Sequence, residues 1–337
     1  ISNPSGHGPT IELLEPRPHA MRPLSPYRQK VVKMRQRGLM YPYEIIRLLS
    51  RDRDHESKLP EGTFVEYDLA DDGRLEPIER RPGNNEAGII VGVITSITEK
   101  YPEGMARVMI LGDPTKGMCS LAEAECARVI AALDMAEEMG VPVEWFAVSA
   151  GAKIAMDSGT ENLDWTARVL RRLIEFTQAG GEVNVIVHGI NVGAQSYWNA
   201  EATMLMHTRG ILIMTPQGAM VLTGKQALDY SGGVSAEDNL GIGGYDRIMG
   251  PNGQAQYWAA DLEEACQILL QHYDHSYRLK GDCCPRRSNS TDPVDRDITE
   301  YPYGAGAGGE FATIGEVFTD ENNPGRKRPY AMLGVRY

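Results

Sequence analysis

The chain has 337 residues, of which 42% are apolar and 24% are charged, and its formal net charge is −12. These values are typical of a globular protein with a buried core, and the acidic charge argues against general nucleic-acid binding, which requires a basic surface. No apolar run approaches the roughly 18 residues of a membrane-spanning helix. The five cysteines form no CxxC pair. With no secretory signal in view, the composition predicts a cytoplasmic protein with reduced thiols and no metal site.

The first 83 residues are predicted to form an N-terminal arm followed by a helical docking segment. Residues 1–25 are rich in proline and show little pattern, whereas residues 26–52 have helical spacing and a basic first stretch. That stretch is either a solvated face or a docking surface for an acidic partner. Residues 53–87 are charged and punctuated by Pro and Gly. This composition predicts a mobile connection.

Predicted strands and helices alternate through residues 84–280. The strands are expected at 88–94, 106–112, 143–148, 183–187 and 211–214. The helices are expected at 121–140, 164–180, 193–208, 220–230 and 260–273. Such alternation predicts an α/β fold of stacked units. Residues 281–337 are expected to form a linker and the start of a further unit.

Two glycine-containing elbows each follow a predicted strand and open into a predicted helical pattern. The first spans residues 148–154 with Gly151, and the second spans residues 187–194 with Gly193. Backbone N–H groups at the start of a helix have no intrahelical partner and lie at the positive end of the helix dipole. Such amides form oxyanion holes or anion cradles. The pair therefore predicts a site that stabilises enolate-like negative charge.

Five short motifs occur in the order typical of one protein family. They are the segments 84–88 with 101–104, 149–154, 192–197, 222–224 with 239–244, and 292–296. Over roughly residues 84–296, the chain thereby resembles the carboxyltransferase component of biotin-dependent acyl-CoA carboxylases. The part of that component that it resembles is the N-terminal half. The resemblance implies a crotonase-like spiral of ββα units, preceded here by the N-terminal arm and helical segment.

The resemblance also implies a reaction in which carboxybiotin delivers a carboxyl group to the α-carbon of an acyl-CoA. Both the biotin ureido oxygen and the thioester oxygen carry developing negative charge, so two oxyanion holes are expected. Biotin would be attached to a carrier domain or chain elsewhere, and coenzyme A would enter as part of the substrate. The partners implied are the biotin carboxyl carrier, the biotin carboxylase and the C-terminal carboxyltransferase half, in a homo- or hetero-oligomer.

Nine residues are predicted to form the site. The backbone oxyanion donors are expected at Gly151, Ala152, Gly193 and Ala194. Substrate, coenzyme A or biotin is expected to contact Ser149, Lys153, Tyr197, Gly243 and Gly244. Lys153 stands where the family has arginine, which keeps the charge but loses the planar fork that binds carboxylate or phosphate through two hydrogen bonds. Lys153 is thus either a contact to carboxybiotin or a coenzyme A phosphate, or a solvated side chain.

Two other functions stay open at this point. One is a different crotonase-type CoA-thioester enzyme, such as a hydratase or decarboxylase, which would need a carboxylate pair near the elbows. The other is a non-catalytic scaffold half of a carboxylase assembly, which the change to Lys153 and the absence of most of the family's C-terminal half would favour. The acyl chain length is left open among acetyl, propionyl and longer chains.

Several conspicuous residues have a simpler structural interpretation. His188 ends a predicted buried strand and is expected to be a hydrogen-bonded core residue. Asn191 and Gln195 either cap the second helix or orient a ligand amide, and Trp198 belongs to the core or to a biotin pocket. The glycine-rich segment 241–244 lacks the full GxGxxG pattern, so a dinucleotide-binding fold is rejected. Cys283 and Cys284 are expected to lie in an inert loop.

Overall fold

A computed structural model describes residues 23–50, 58–156, 159–204, 208–232 and 235–287, together with Asp295. The proline-rich arm before residue 23 and the motif at 292–296, apart from Asp295, lie outside these residues. The helices of the described part are α1 (Pro26–Arg35), α2 (Pro42–Leu49), α3 (Glu123–Met139), α4 (Glu161–Gln178), α5 (Ala194–Ala202), α6 (Lys225–Tyr230), α7 (Asn239–Gly243) and α8 (Leu262–Ser276). A π-helical turn covers Tyr245–Met249.

The strands of the described residues form one nine-stranded sheet. They are β1 (Glu61–Leu69), β2 (Leu75–Pro77), β3 (Ile89–Ile97), β4 (Met105–Gly112), β5 (Val143–Ser149), β6 (Val183–Val192), β7 (Leu212–Met214), β8 (Ala219–Val221) and β9 (Tyr257–Trp258). The order is β2-β1-β3-β4-β5-β6-β7-β9, with β8 paired to β6. Strands β2, β1, β3 and β4 are antiparallel, and all pairings from β4 onward are parallel.

Strand β6 has two partners on one side. Its residues Val185–Val187 pair with β7, and its last three residues, Ile190–Val192, pair with β8. The pairing of β5 with β6 also shifts register between Ala147 and Ser149. The sheet therefore changes course at the carboxyl end of β6. This is the region in which both predicted elbows lie.

The core has two parts, one on each face of the sheet. Alternate residues of a strand point to opposite faces, as Ile89 and Ile90 do on β3. One part packs α1, α2 and α8 against the sheet, and the other packs α3, α4 and α5 against the opposite face. The central strand β5 is buried along its whole length. Apart from Glu144 and Ser149 its residues are apolar, which is typical of a parallel strand covered on both sides.

The structure corrects two local predictions. Residues 53–87 are more than a mobile connection, since β1 and β2 lie there and β1 pairs with β3 from Glu61 to Tyr67. Some charges of this stretch form ion pairs: Arg80 contacts both Glu66 and Asp68, the latter at 2.6 Å. The stretch resembled a linker in sequence because β1 is a half-exposed antiparallel strand that carries charged residues.

The helical prediction for residues 26–52 is confirmed over the described residues 26–50, which form the two helices α1 and α2. The chain breaks between them at Gly38, whose φ of +72° lies in the left-handed region. The second correction concerns residues 220–230, predicted as one helix. They contain the end of β8 and then α6, which starts only after Gly224. The remaining predicted strands and helices from residue 88 onward are confirmed in position, with changes in length at their ends.

Candidate functional site

The two elbows lie side by side at the carboxyl ends of two adjacent parallel strands. The first follows β5 and the second follows β6, and Ser149 pairs with Asn191 across them. A Cβ atom built on Gly193 would lie 4.0 Å from the Cα atom of Gly151. A Cβ atom built on Gly151 would in turn lie 3.2 Å from the Val192 carbonyl oxygen, so the two elbows lie close together. The structure thus brings the four predicted donor residues into one place.

The first elbow is held by a side chain and by a short backbone bridge. Gly151, with φ +86°, donates its N–H to Ser149 Oγ at 3.0 Å. Ser149 Oγ in turn donates to the Cys119 carbonyl at 2.8 Å. Leu121 N donates to the Gly151 carbonyl, and Lys153 N donates to the Leu121 carbonyl, both at 2.8 Å. Ser149, predicted to bind ligand, is buried here and shapes the elbow.

The expected helix after the first elbow does not follow directly. The next helix, α4, begins at Glu161, and the residues after Gly151 form a bridge to Leu121 instead. Lys153 is therefore not a helix-start residue. This elbow lacks the dipole of a following helix, so its donors act through hydrogen bonding alone.

The second elbow does open a helix. Gly193 is the N-cap of α5, with φ +60° and ψ −122°, a conformation that favours glycine. Its N–H donates to the Val221 carbonyl at 2.9 Å, which ties the elbow to β8. Ser196 Oγ donates to the carbonyls of Asn191 and Val221, at 2.9 and 3.1 Å. The first turn of α5 is thereby fixed against the ends of β6 and β8.

Two of the four predicted donor amides are already used by the fold. The N–H groups of Gly151 and Gly193 donate to Ser149 Oγ and the Val221 carbonyl. Within the part of the chain that the structure describes, the N–H groups of Ala152 and Ala194 donate to no protein acceptor. Both residues are half-buried, and Ala194 is the first residue of α5. The candidate donors are therefore the amides that follow each glycine.

A chain of three buried amide side chains lies behind the elbows. Gln195 Nε2 donates to Asn199 Oδ1 at 2.8 Å, and Asn199 Nδ2 donates to Asn191 Oδ1 at 3.4 Å. Asn191 Nδ2 donates to the carbonyls of Ala147 and Gly189, at 3.0 and 3.3 Å. The three side chains are completely buried. They fasten α5 and β6 to β5 at the register shift.

Sequence reasoning gave these amides a different role. Asn191 and Gln195 were expected to cap the second helix or orient a ligand, and they do not cap it, because Gly193 holds the N-cap position without a side-chain bond. Asn199 was not identified. The spacing of Gln195 and Asn199, four residues apart on a helix, was the available signal, since such residues share one helix face.

The other predicted contact residues surround the elbows at different depths. Lys153 is exposed, and its carbonyl accepts from Asn162 Nδ2 at 2.7 Å. Tyr197 lies on α5 with 57% of its surface exposed. Gly243 and Gly244 are buried beside β8, and a Cβ atom on Gly243 would lie 1.9 Å from the Met220 carbonyl oxygen. Close packing against β8 therefore explains the glycine at 243 without any ligand.

His188 and Trp198 fit the structural interpretation. His188 Nδ1 lies 2.9 Å from Thr215 Oγ1, and burial lowers the pKa of His188 to about 4. The ring is therefore neutral at neutral pH. Trp198 is buried against Trp145, with ring centroids 5.8 Å apart, and belongs to the core.

Exposed apolar side chains flank both elbows. Ile154 and Met156 follow the first elbow and are almost fully exposed. Leu222 follows β8, and its carbonyl would lie 3.8 Å from a Cβ atom on Gly193. Tyr197 and Leu163 add to this set, which we call the apolar rim. Exposed apolar groups gathered near one site are typical of a surface that contacts a ligand or another protein.

No cluster of three or more His, Cys, Asp or Glu side chains in the described residues is arranged to hold a metal ion. None of their helices combines the length and apolar character that crossing a membrane requires.

Comparisons with known proteins give one consistent result. A family model described as the carboxyl transferase domain matches residues 47–307. Acetyl-CoA carboxylase of Saccharomyces cerevisiae is 32% identical over 101 residues, which are 29% of this chain and 4% of that protein. The Schizosaccharomyces pombe acetyl-CoA carboxylase is 28% identical over 100 residues, with the same shares of both chains. The match thus spans only a small part of these relatives.

A solved structure shares the fold. The beta subunit of geranyl-CoA carboxylase from P. aeruginosa superposes with a TM-score of 0.54 at 17% identity, covering 73% of this chain and 40% of that chain. This likeness confirms the predicted crotonase-type α/β fold. The sheet order alone would not have distinguished it from other α/β arrangements.

Proposed function

The chain belongs to the carboxyl transferase domain family, and from that membership we propose that it moves a carboxyl group from carboxybiotin to the α-carbon of an acyl-CoA thioester. The named relatives and the structural neighbour are carboxylases of acyl-CoA compounds, which supports an acyl-CoA substrate. Carboxybiotin, presented by a carrier elsewhere, would supply the carboxyl group and the base for the α-proton. The part played by this chain is to bind the thioester and stabilise its enolate.

The observation that carries the proposal is the pair of N–H groups at Ala152 and Ala194. They come from two adjacent elbows, and neither is used by the fold in the described part of the chain. An enolate oxygen needs two such donors and no ionised side chain. Ala194 also lies at the positive end of α5, which adds a favourable dipole. The two amides are thus suited to hold one oxyanion.

The surroundings suit the same reaction. Lys153 directly follows Ala152 and is exposed, so we propose that its charge contacts the carboxyl or phosphate group of a substrate. The apolar rim would be covered by the C-terminal carboxyltransferase half, which would complete the acyl pocket and supply the second oxyanion hole. This arrangement accounts for large apolar side chains such as Ile154 remaining exposed in this chain.

The test is to remove one donor N–H without disturbing the fold. Ala194→Pro does so, because Pro has no N–H and is well tolerated at the first residue of a helix. The preceding residue, Gly193, is outside the α region that Pro disfavours, with ψ −122°. The matched control, Ala194→Ser, keeps the N–H.

Carboxyl transfer is measured in the assembled carboxylase with acyl-CoA as acceptor. We expect Ala194→Pro to lower kcat by about 10²–10³-fold, with little change in KM or in the melting temperature. Ala194→Ser is expected to stay close to the unmodified protein. Unchanged kcat in a folded Ala194→Pro assembly would remove Ala194 from the mechanism. Failure of the unmodified assembly to bind acyl-CoA in calorimetry would favour the scaffold function instead.

A further inference from the structure

Two adjacent cysteines are exposed after α8. The Sγ atoms of Cys283 and Cys284 lie 3.7 Å apart, and both side chains are exposed. The other cysteines, Cys119, Cys126 and Cys266, are buried. Burial raises the pKa of Cys126 to about 12 and raises the pKa values of Cys119 and Cys266 further. Thiol chemistry in solution is therefore confined to the adjacent pair.

The segment that carries the pair is fixed to the body of the protein. Arg286 binds the Glu103 carboxylate with both terminal nitrogens, and its Nη1 donates to the Lys100 carbonyl at 2.7 Å. Its guanidinium carbon lies 5.0 Å from the centre of the Tyr101 ring. Cys284 lies two residues before Arg286, so the pair is held at the surface beside the β3–β4 turn. The two thiols face solvent in a defined position rather than being available to the buried cysteines.

We propose that Cys283 and Cys284 form a reversible oxidation site, a vicinal dithiol that closes to a disulfide by exchange with a low-molecular-weight disulfide such as oxidised glutathione. One thiolate attacks a sulfur of the small disulfide, forms a mixed disulfide and releases one thiol. The neighbouring thiol, once deprotonated, attacks the protein-bound sulfur and releases the second small thiol. In balance, the protein loses two hydrogen atoms and the small disulfide is reduced to two thiols.

The geometry explains why closure is fast and reversible. The second thiol needs to move only from 3.7 Å to bonding distance, so the mixed disulfide has a partner already in place. Consecutive Cα atoms are about 3.8 Å apart, which is less than the usual spacing across a disulfide. The closed ring is therefore strained and is readily reduced again. A hydrogen bond with Cys283 and the charge of its thiolate raise the pKa of Cys284, which favours stepwise ionisation.

The test uses the complete chain, folded, with oxidised glutathione as the probe. Intact mass and peptide mapping after alkylation are compared for the unmodified protein and for Cys283→Ser and Cys284→Ser. We expect the unmodified protein to lose two hydrogen atoms, with both cysteines joined in one peptide, and to regain them with a dithiol reductant. Each single variant is expected to stop at one glutathione adduct on its remaining exposed cysteine.

Other outcomes would overturn the proposal. These are accumulation of glutathione adducts on the unmodified protein without ring closure, a disulfide joining the pair to another cysteine or another chain, or no reaction. Alkylation before and after unfolding serves as the internal control, because the three buried cysteines should be labelled only after unfolding. The readout is a mass, so its result is independent of the carboxyltransferase proposal.

Discussion

The two ends of the parallel part of the sheet differ in the polar groups that they bury. At the amino end, where β4, β5 and β6 begin, a charged pair is completely buried: Arg107 Nε lies 2.6 Å from Glu144 Oε1, and neither side chain is more than 2% exposed. Behind the second elbow, at the carboxyl end of β6, the buried polar groups are the neutral amides of Asn191, Gln195 and Asn199, while Asp113, directly after β4, is a buried acidic side chain at the same end of the sheet. The free donors there are backbone N–H groups.

The charged pair at the amino end attaches α8 to the sheet. Arg107 Nη1 donates to the Met105 carbonyl at 2.5 Å, and the guanidinium lies 5.5 Å from the ring centre of Tyr273 on α8. Tyr273 also accepts from Asn184 Nδ2 on β6, at 3.0 Å. Burial alone lowers the pKa of Arg107, but the charge of Glu144 opposes this effect and the net shift of the Arg107 pKa is upward.

The contrast between the two ends suggests that the amino end serves the stability of the fold and the carboxyl end serves the proposed reaction. The buried Arg107–Glu144 pair at the amino end joins β4 and β5 to α8. The carboxyl end leaves the N–H groups of Ala152 and Ala194 unused, and the side chains buried directly behind the second elbow are neutral amides. If the carboxyltransferase proposal holds, these two N–H groups are the fixed neutral donors for the enolate. Substitutions at the two ends should therefore differ in kind, with the amino end affecting folding alone.

The largest loss of stability is expected from Glu144→Ala at the amino end. It leaves Arg107 as a buried charge without its partner. Removing one member of a buried ion pair typically costs about 3–5 kcal/mol. The free energy of unfolding, from urea titration with unchanged slope, measures this loss.

A double variant provides the control for that prediction. Arg107→Met combined with Glu144→Leu removes both charges and keeps apolar volume. Replacing a buried pair in this way is often close to neutral. We therefore expect most of the lost stability to return. If the double variant is as unstable as Glu144→Ala, the loss comes from packing, and the contrast between charged and neutral ends is wrong.

A second effect is expected from His188, on the carboxyl half of β6, as pH falls. The pKa of His188 is lowered from 6.5 to about 4, mainly by burial, with Asp261 opposing the shift. The unfolded chain therefore binds the proton first, and stability decreases as pH falls below 6.5. By about pH 4 the loss is about 3 kcal/mol. Above pH 7 this group adds no pH dependence.

The His188→Gln variant isolates this contribution. Unfolding free energies of both proteins are compared at pH 7, 5.5 and 4.5, so that losses from other groups cancel. The unfolding free energy of His188→Gln minus that of the unmodified protein should increase steadily as pH falls. Parallel curves for the two proteins would show that His188 is protonated equally in the folded and unfolded states.

The smallest of the three losses is expected from Asn191→Ala at the carboxyl end. The substitution leaves the carbonyls of Ala147 and Gly189 without this donor. Unsatisfied buried groups typically cost about 1–3 kcal/mol. Asn84→Ala, at an exposed position, is the matched control and should have little effect.

Activity measurements on Asn191→Ala sharpen the comparison of the two ends. If the carboxyltransferase proposal holds, kcat should also fall, because Asn191 positions the elbows. Glu144→Gln, assayed where both proteins are fully folded, should keep its kcat. Equal losses of kcat in the two variants would argue that the ends are not functionally distinct.

The sequence was sufficient to locate the strands that carry the site. Largely apolar runs such as 143–148 and 183–187 are followed within a few residues by glycine, and this pattern depends on burial and backbone freedom, which are local properties. The positions of the elbows were therefore predictable. Their closeness to each other was also predictable in part, because adjacent parallel strands end at the same side of a sheet.

What could not be predicted depends on hydrogen bonds between distant residues. The sequence alone does not tell the N–H group of Gly151 from that of Ala152 as a donor. In the structure, Gly151 donates to Ser149 Oγ, and the N–H of Ala152 donates to no acceptor in the described residues. Gly193 is bound by Val221, a residue of the short strand β8 that was predicted as helix. The identity of the free donors thus required the fold. The same holds for Asn199, whose partner on β6 is eight positions away.

The nine-stranded sheet ends on both sides in very short strands. One outer strand is β2, with three residues that finish at Pro77, and the other is β9, with two residues. Short outer strands and a terminal Pro offer few N–H and C=O groups for another chain to pair with. If the proposed second carboxyltransferase half covers the elbows, it would join through side chains of loops and helices around them, and this contact could change without altering the sheet. Assembly and folding would be subject to separate sets of residues.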